Sequence, residues 1–389
     1  MNPSTGGPSQ GIRNSIPELE KLGLHNEVVC LDDPSASFLG NDAFTIYALG
    51  PSKGPWCYSS KLMPWLLNNL GRFDAVIVHG LWLYHSYAIS KAMSLLKRRR
   101  LTYKQQSSLP KLFIMPHGML DPYFQRASKR KLKAVRNWAY WKLIEGKVVN
   151  KADGLLFTCE AELRLAREPF RPYQPKQEIN VGYGIQIPQS FDPQMRNAFL
   201  KLCPTLGSCP YLLFLSRIHH KKGVDLLLSA YAVLLGQNRI MPKLVIAGPG
   251  LETAYGKKMQ QIVFENSHLR NSVLFPGMLT GDAKWGAFYG CEAFVLPSHQ
   301  ENFGIAIVEA LACAKPVLIS NQVNIWREIE ASGGGLVAED TLKGTQELLD
   351  GWCRLPEKEK HKARLRAREL YQTHFAIEPA AKQLMVALA

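Results

Sequence analysis

The sequence predicts an α/β protein built from two doubly wound, mostly parallel sheets. Three observations predict it. Short apolar runs of strand composition alternate with stretches of helical length, first between residues 27 and 181 and again between 212 and 337, and such alternation implies βαβ units. The alternation pauses at a stretch holding Pro188, Pro193, Pro204 and Pro210. A chain of 389 residues, 46% hydrophobic, has the material for two or three buried cores. The expected domains are 1–195 and 196–375, followed by a terminal helix, 376–389.

The chain opens on a turn-rich segment containing Gly6 and Gly7, which runs into a helix from Ile12 to Leu22. Glu27 to Leu31 and Phe44 to Leu49 have strand composition, and Leu62 to Leu70 reads as a helix. Ala75 to Val78 is a strand ending in His79-Gly80, and Tyr87 to Arg98 is a helix ending in a charge run, Lys97 to Arg100. Leu112 to Met115 is the next strand, ending in Pro116-His117-Gly118. A basic helix is expected from Ser128 to Gly146, then strands at Leu155 to Thr158 and Ile179 to Val181. The prolines from 188 to 210 suggest a loop-like joint.

The second series has strands at Leu212 to Leu215, Leu244 to Ala247, Val273 to Phe275, Ala293 to Leu296, Val317 to Ile319 and Leu336 to Val337. The clearest helices are Val224 to Leu235 and Tyr255 to Glu265, and the tail from Glu357 is helical with a break near His374-Phe375. In open parallel sheets, ligands bind beyond the carboxyl ends of the strands. The residues there are His79, His117, Arg217, Gly248 and Pro297 to Glu301.

The formal charge is +15. Residues 51–150 hold 18 Lys and Arg against 3 Asp and Glu, a balance of 18 − 3 = +15, so the remainder is neutral overall. The eight cysteines include no C-x-x-C pair, which points away from zinc and redox motifs and toward reduced thiols in a cytoplasmic protein. No signal peptide or membrane-length apolar run is visible.

The most informative stretch is Pro297-Ser298-His299-Gln300-Glu301-Asn302-Phe303-Gly304, followed by a short apolar helix from Ile305 to Ala314 interrupted only by Glu309. A helix N-terminus after a strand–loop turn is suited to a phosphate. Glu301 and Glu309 would repel that phosphate, so they are expected to face hydroxyl groups. A sugar on each end of a diphosphate supplies those. A second motif, Ser216-Arg217-Ile218-His219-His220-Lys221-Lys222-Gly223, sets a guanidinium fork and an ammonium beyond a strand, a pairing suited to a diphosphate.

Two glutamates eight residues apart across a Phe-Gly turn, in register with Pro297, Ser298 and Ala310, resemble the nucleotide-sugar loop of the retaining glycosyltransferases of family 4, also called glycosyl transferases group 1. The resemblance implies the GT-B fold, two facing Rossmann-like domains, with the last helix, Ile377 to Leu388, crossing back onto the first. It implies that Arg217 and Lys222 grip the donor diphosphate and that Gly248 approaches the nucleotide. It places Asn302, Phe303 and Gly304 in the donor loop, Glu301 on sugar hydroxyls and Glu309 on the ribose. His117 matches a histidine that contacts the donor sugar and the reacting centre. In the family, a strand precedes the Gly-Gly loop beside the donor phosphates. Gly6 and Gly7 match that loop, but no strand precedes them here. The first strand of the N-terminal domain therefore reads as missing, with a native start upstream by roughly eight to ten residues, one strand's length.

The function so implied is retaining transfer of a hexose from a UDP- or GDP-sugar to a saccharide or lipid-linked acceptor, in polysaccharide or glycolipid assembly. Neither a metal nor a cofactor is expected. A nucleotide-sugar epimerase is one alternative. A nucleic-acid-binding protein using the basic region is another, but no reader motif supports it. Trp138 and Trp141 are expected to pack inward with the neighbouring lysines outward. The charge of residues 97–142 nevertheless suits an anionic membrane surface or a lipid-diphosphate acceptor, which would place the protein peripherally on the inner face of the membrane.

Overall fold

The computed structural model describes residues 1–2, 7–40, 42–103, 109–126 and 131–389. Gly6, Ser128, Lys129 and Arg130 lie outside the described residues. The chain divides into two compact units, Met1–Gly184 with Ile377–Ala389, and Ile185–Ala376.

The first unit begins with helix α1 (Gly7–Lys21), then strands β1 (Glu27–Cys30) and β2 (Thr45–Ala48), helix α2 (Leu62–Asn69), β3 (Ala75–His79), α3 (Tyr84–Tyr103) and β4 (Lys111–Met115). It continues through α4 (Tyr123–Arg126), α5 (Lys131–Tyr140), α6 (Gly146–Lys151), β5 (Gly154–Phe157), α7 (Glu160–Ala166) and β6 (Glu178–Asn180). Strands β3-β4-β5-β6 form one parallel sheet. Side chains alternate across it, as strand geometry requires. Leu112, Ile114, Leu155 and Phe157 pack against Leu66, Ala88, Ala92 and Val149 on one face. Phe113, Met115 and Leu156 pack against Leu19, Ala381 and Leu384 on the other. Both faces are thereby covered, the condition for an all-parallel sheet. The second cover includes the last helix of the chain, numbered α17 below. Strands β1 and β2 pair with each other in a separate two-stranded sheet. No strand precedes α1 among the described residues.

The second unit carries α8 (Pro193–Leu202), β7 (Tyr211–Leu215), α9 (Val224–Gly236), β8 (Lys243–Ala247), α10 (Ala254–Glu265), α11 (Ser267–Arg270), β9 (Val273–Gly277), α12 (Gly281–Gly290), β10 (Ala293–Leu296) and α13 (Ile305–Ala312). After these come β11 (Val317–Ser320), α14 (Trp326–Ser332), β12 (Gly335–Ala338), α15 (Leu342–Arg354) and α16 (Glu357–Leu370), and α17 (Ile377–Leu388) then returns to the first unit. The sheet order is β12-β11-β10-β7-β8-β9, parallel throughout. Chain order runs outward from β7 to β9, then restarts at β10 and runs the other way. The switch point lies between β7 and β10, and in such sheets it is where ligands bind.

Two expectations are corrected. The proline stretch from 188 to 210 is not all loop. Asp192 accepts a hydrogen bond from Gln194 N at 2.7 Å, and Pro193 then sits at the start of α8, where its missing N–H is harmless. The basic helix, described from Lys131, runs unbroken through Gly146 but is not α-helical throughout. Trp141–Glu145 winds as a π-helical turn between α5 and α6. Trp141 lies inward, stacked on Phe170 with centroids 4.7 Å apart, whereas Trp138 stays 56% exposed.

Glu145, at the end of that turn, is fully buried. One carboxylate oxygen accepts from Trp82 N at 3.1 Å and Ser86 Oγ at 3.3 Å; the other has no partner among the described residues. Burial raises this carboxyl to about 7. The unfolded chain releases the proton near the ordinary value of 4.5, so the stabilisation is present below that and fades as pH rises to 7. Wild-type thermal stability is expected to fall across this window by about 3 kcal/mol of unfolding free energy. Glu145→Gln keeps an acceptor for Trp82 N and should flatten the dependence in a melting series from pH 4.5 to 8. A wild-type profile already flat would refute the assignment.

Candidate active site

In the second unit, three loops meet beyond β7, β8 and β10. Gly248 follows β8 with φ of 138°, and a Cβ there would lie 1.9 Å from the Ser216 carbonyl oxygen. Only glycine lets these two loops approach so closely. The β7 and β10 loops are tied together as well: His299 N and Ser298 Oγ both donate to the Lys221 carbonyl, each at 2.9 Å. Loop 297–304 is held from its far side by Glu301 N donating to Gln322 O at 3.0 Å and Asn324 N donating to Glu301 O at 2.9 Å. Gly304 closes it at φ of 77° and stands at the N-terminus of α13, a left-handed geometry disfavoured for other residues.

Around this helix start lie two lysine–carboxylate pairs. Lys222, itself buried, pairs with Glu301. Lys284, from α12, reaches Glu309 Oε1 at 2.5 Å. Burial pulls the Glu301 carboxyl upward, but Lys222, Lys221 and Arg217 outweigh it and hold the group below its ordinary value. Burial dominates at Glu309 and raises its carboxyl despite Lys284. Arg217 is exposed and has no ion-pair partner among the described residues. Asn302 Oδ1 accepts from Asn324 Nδ2 at 3.2 Å. Phe303 is buried edge-on against Phe375, centroids 5.6 Å apart, so its ring packs as core.

In the first unit, His117 follows β4 with a left-handed backbone, φ of 53°. Its Nε2 lies 2.9 Å from His79 Nδ1, and the two rings meet edge to edge with centroids 5.2 Å apart and planes 20° apart. Burial lowers His79 to about 4, with His85 adding to the effect, and burial with His79 lowers His117. Both residues are half-buried. Glu162, buried, accepts from Gly118 N at 2.5 Å and from Thr158 N at 2.8 Å, fixing the His117-Gly118 turn. Tyr183 sits edge-on to His117, and its hydroxyl donates to the Gly7 carbonyl at 3.1 Å. Gly7 is the first residue of α1. Asp121 caps its own turn, accepting from Tyr123 N at 2.8 Å. Among the described residues, no three His, Cys, Asp or Glu side chains are placed to hold a metal ion.

Sequence reasoning missed Lys284, Glu145, Glu162 and Tyr183. Each makes a contact with a residue distant in sequence, which no local pattern shows.

A parallel sheet with a switch point, and a helix start flanked by lysine–carboxylate pairs beside it, make this unit Rossmann-like. Residues 207–369 match the family model of glycosyl transferases group 1, and residues 6–179 match that of the glycosyl transferase 4-like domain. The chain belongs to the group 1 glycosyltransferase family, and its fold is GT-B. It is 30% identical over 176 residues to the alpha-monoglucosyldiacylglycerol synthase of Streptococcus pneumoniae, a match covering 44% of this chain and 38% of that protein. This match and those to the glycosyltransferase MJ1607 of Methanocaldococcus jannaschii and the D-inositol 3-phosphate glycosyltransferase of Jonesia denitrificans each span less than half of the relative's length. A glycosyltransferase structure from Rickettsia africae superposes with a TM-score of 0.73 at 14% identity, over 97% of this chain and 94% of that one. Anabaena HepE in complex with UDP and glucose superposes with a TM-score of 0.66 at 15% identity, over 89% and 86%.

Proposed function

We propose that the protein transfers a hexose, with retention, from a nucleotide-diphosphate sugar to a saccharide or lipid-linked acceptor in polysaccharide or glycolipid assembly. The observation that carries this reading is the α13 start, bracketed by Lys222–Glu301 and Lys284–Glu309. Lys222, Arg217 and the helix N–H groups would stabilise negative charge on the departing diphosphate. Glu301 would hold sugar hydroxyls, Glu309 the ribose, and Gly248 would admit the nucleotide. Asn302 and Gly304 shape the loop. His117 serves the transferred sugar, and Gly7 belongs to the donor-phosphate side of the first unit. Family membership supports the reading, as does the likeness to a protein crystallised with UDP and glucose.

Calorimetry with UDP and GDP, followed by product analysis with radiolabelled UDP- and GDP-sugars, tests it. One nucleoside diphosphate should bind, and its sugar should appear in a glycosylated acceptor. Absence of binding, or release of a free rearranged nucleotide sugar as an epimerase would give, overturns it.

Peripheral attachment to an anionic membrane is part of the proposal. Leu132, Val135 and Trp138 are 89%, 66% and 56% exposed along α5, one apolar stripe at helical spacing. Lys131, Lys133, Arg136 and Lys142 flank it, with the Lys142 ammonium 5.9 Å over the Trp138 ring. Apolar stripes with basic flanks bind interfaces. Among the described residues no helix is long and apolar enough to cross a membrane. Sedimentation with phosphatidylglycerol vesicles should weaken as salt rises, and Trp138→Ala should weaken it further. Binding unaffected by both would refute the surface.

A further inference from the structure

We infer that His79 is a positioning residue for His117: it donates its Nδ1 proton to His117 Nε2 and so fixes His117 as the tautomer protonated at Nδ1. The inference rests on the proposed role of His117 toward the transferred sugar.

The geometry allows little else. The two nitrogens are 2.9 Å apart, and two neutral imidazoles can share only one proton across such a contact. The rings lie edge to edge, centroids 5.2 Å apart and planes within 20° of each other, so the contact between the two nitrogens runs close to both ring planes. The backbone beneath His117 cannot easily relax, since its left-handed φ is secured by Glu162 through Gly118 N. Such strain persists only where the surroundings over-determine it. His85, whose Nε2 faces the Gly80 carbonyl at 3.4 Å, adds an imidazole on the other side of His79. Charging any of the three would set a cation among neighbours that offer it no adjacent carboxylate, and Glu162 is already engaged by N–H groups.

With one shared proton, two arrangements remain. If His117 donated from Nε2, it would present a bare lone pair at Nδ1. If His79 donates, His117 presents an Nδ1–H. His117 is proposed to serve the transferred sugar, and an N–H donor can meet any sugar oxygen, whereas a bare lone pair can meet only the oxygens that carry a hydrogen. The hydrogen bond on one imidazole nitrogen sets the state of the other. His79 thus acts on the reaction through the tautomer of His117 and touches no reacting atom itself.

The test begins with the wild-type protein free of ligand, labelled with nitrogen-15 at histidine. Long-range proton–nitrogen correlation should show His117 protonated at Nδ1 alone. Protonation at Nε2 overturns the inference, whether or not the protein transfers sugar. His79→Phe keeps an aromatic ring in the position but has no donor. It should lower kcat by about 10- to 100-fold, the range for losing an outer partner that orients a functional histidine, with KM for UDP-glucose or GDP-mannose little changed. His79→Asn, whose amide falls near the lost Nδ1, should recover most of the rate, whereas His79→Gln, reaching past that position, should not. Equal rates in all three variants, or a His117 tautomer unmoved by His79→Phe, would overturn it. If the Phe variant fails to fold, the Asn and Gln pair decides. Wild-type protein inert toward both nucleotide sugars would count against the proposed function and leave the tautomer measurement decisive for His79.

Discussion

Lys222→Met is expected to lower kcat/KM by about 10²- to 10³-fold, the cost of removing one preorganised donor from a developing anion. Methionine keeps the apolar stem in its buried position and deletes the ammonium. Glu301 would then lose the neighbour that most opposes its burial. Some of the damage is therefore to stability, and the double variant Lys222→Met with Glu301→Gln separates the two effects. It should melt close to wild type yet remain inactive. Steady-state kinetics on both, beside thermal melts, make the comparison. A Lys222→Met enzyme with wild-type turnover would remove Lys222 from the donor site.

Glu309→Gln is expected to weaken nucleotide-sugar binding by about 10- to 100-fold, the equivalent of a charged hydrogen bond worth roughly 1.5–3 kcal/mol, while the fold survives. The side chain is nearly isosteric and the position lies within α13, so packing is preserved. What is lost is the carboxylate that Lys284 orients at 2.5 Å. The pH dependence has a definite sign. Burial raises the Glu309 carboxyl, so it takes up a proton at a milder acidity than an exposed glutamate does. The wild type should lose donor affinity early on acidification, and the Gln variant should show no such limb. Isothermal titration across pH measures both. Equal affinity in the two proteins at neutral pH would dissociate Glu309 from the ribose.

The strands were legible because each is a run of apolar residues with strand length. Ala293 to Leu296 was read to the residue, and the rest of the second sheet to within two. The residues beyond those strands followed from position alone. Helix α12 was not legible. Gly281, Gly286 and Gly290 give it poor intrinsic propensity, and tertiary packing overrides it: a Cβ at Gly286 would lie 2.0 Å from the Met195 carbonyl of α8. Lys284 was hidden with that helix. Pro193 read as a breaker because its place at a capped helix start depends on Asp192. The His79–His117 contact joins residues 38 apart in the chain through two neighbouring strands, and no local pattern announces such a pairing. Trp138 and Trp141 were read alike, three apart on one helix, yet the first is exposed and the second buried.

The pairing of Lys222 with Glu301 has a bearing on how a catalytic cycle would close. The ammonium already has an anionic companion, so under the proposed function an incoming diphosphate would compete for it. That rivalry would cost affinity on entry. On exit it would work in reverse: once the sugar has left, the carboxylate would reclaim its cation and help dislodge the spent nucleotide. An arrangement of this kind favours throughput over tight holding, and would suit a catalyst working where its own by-product accumulates.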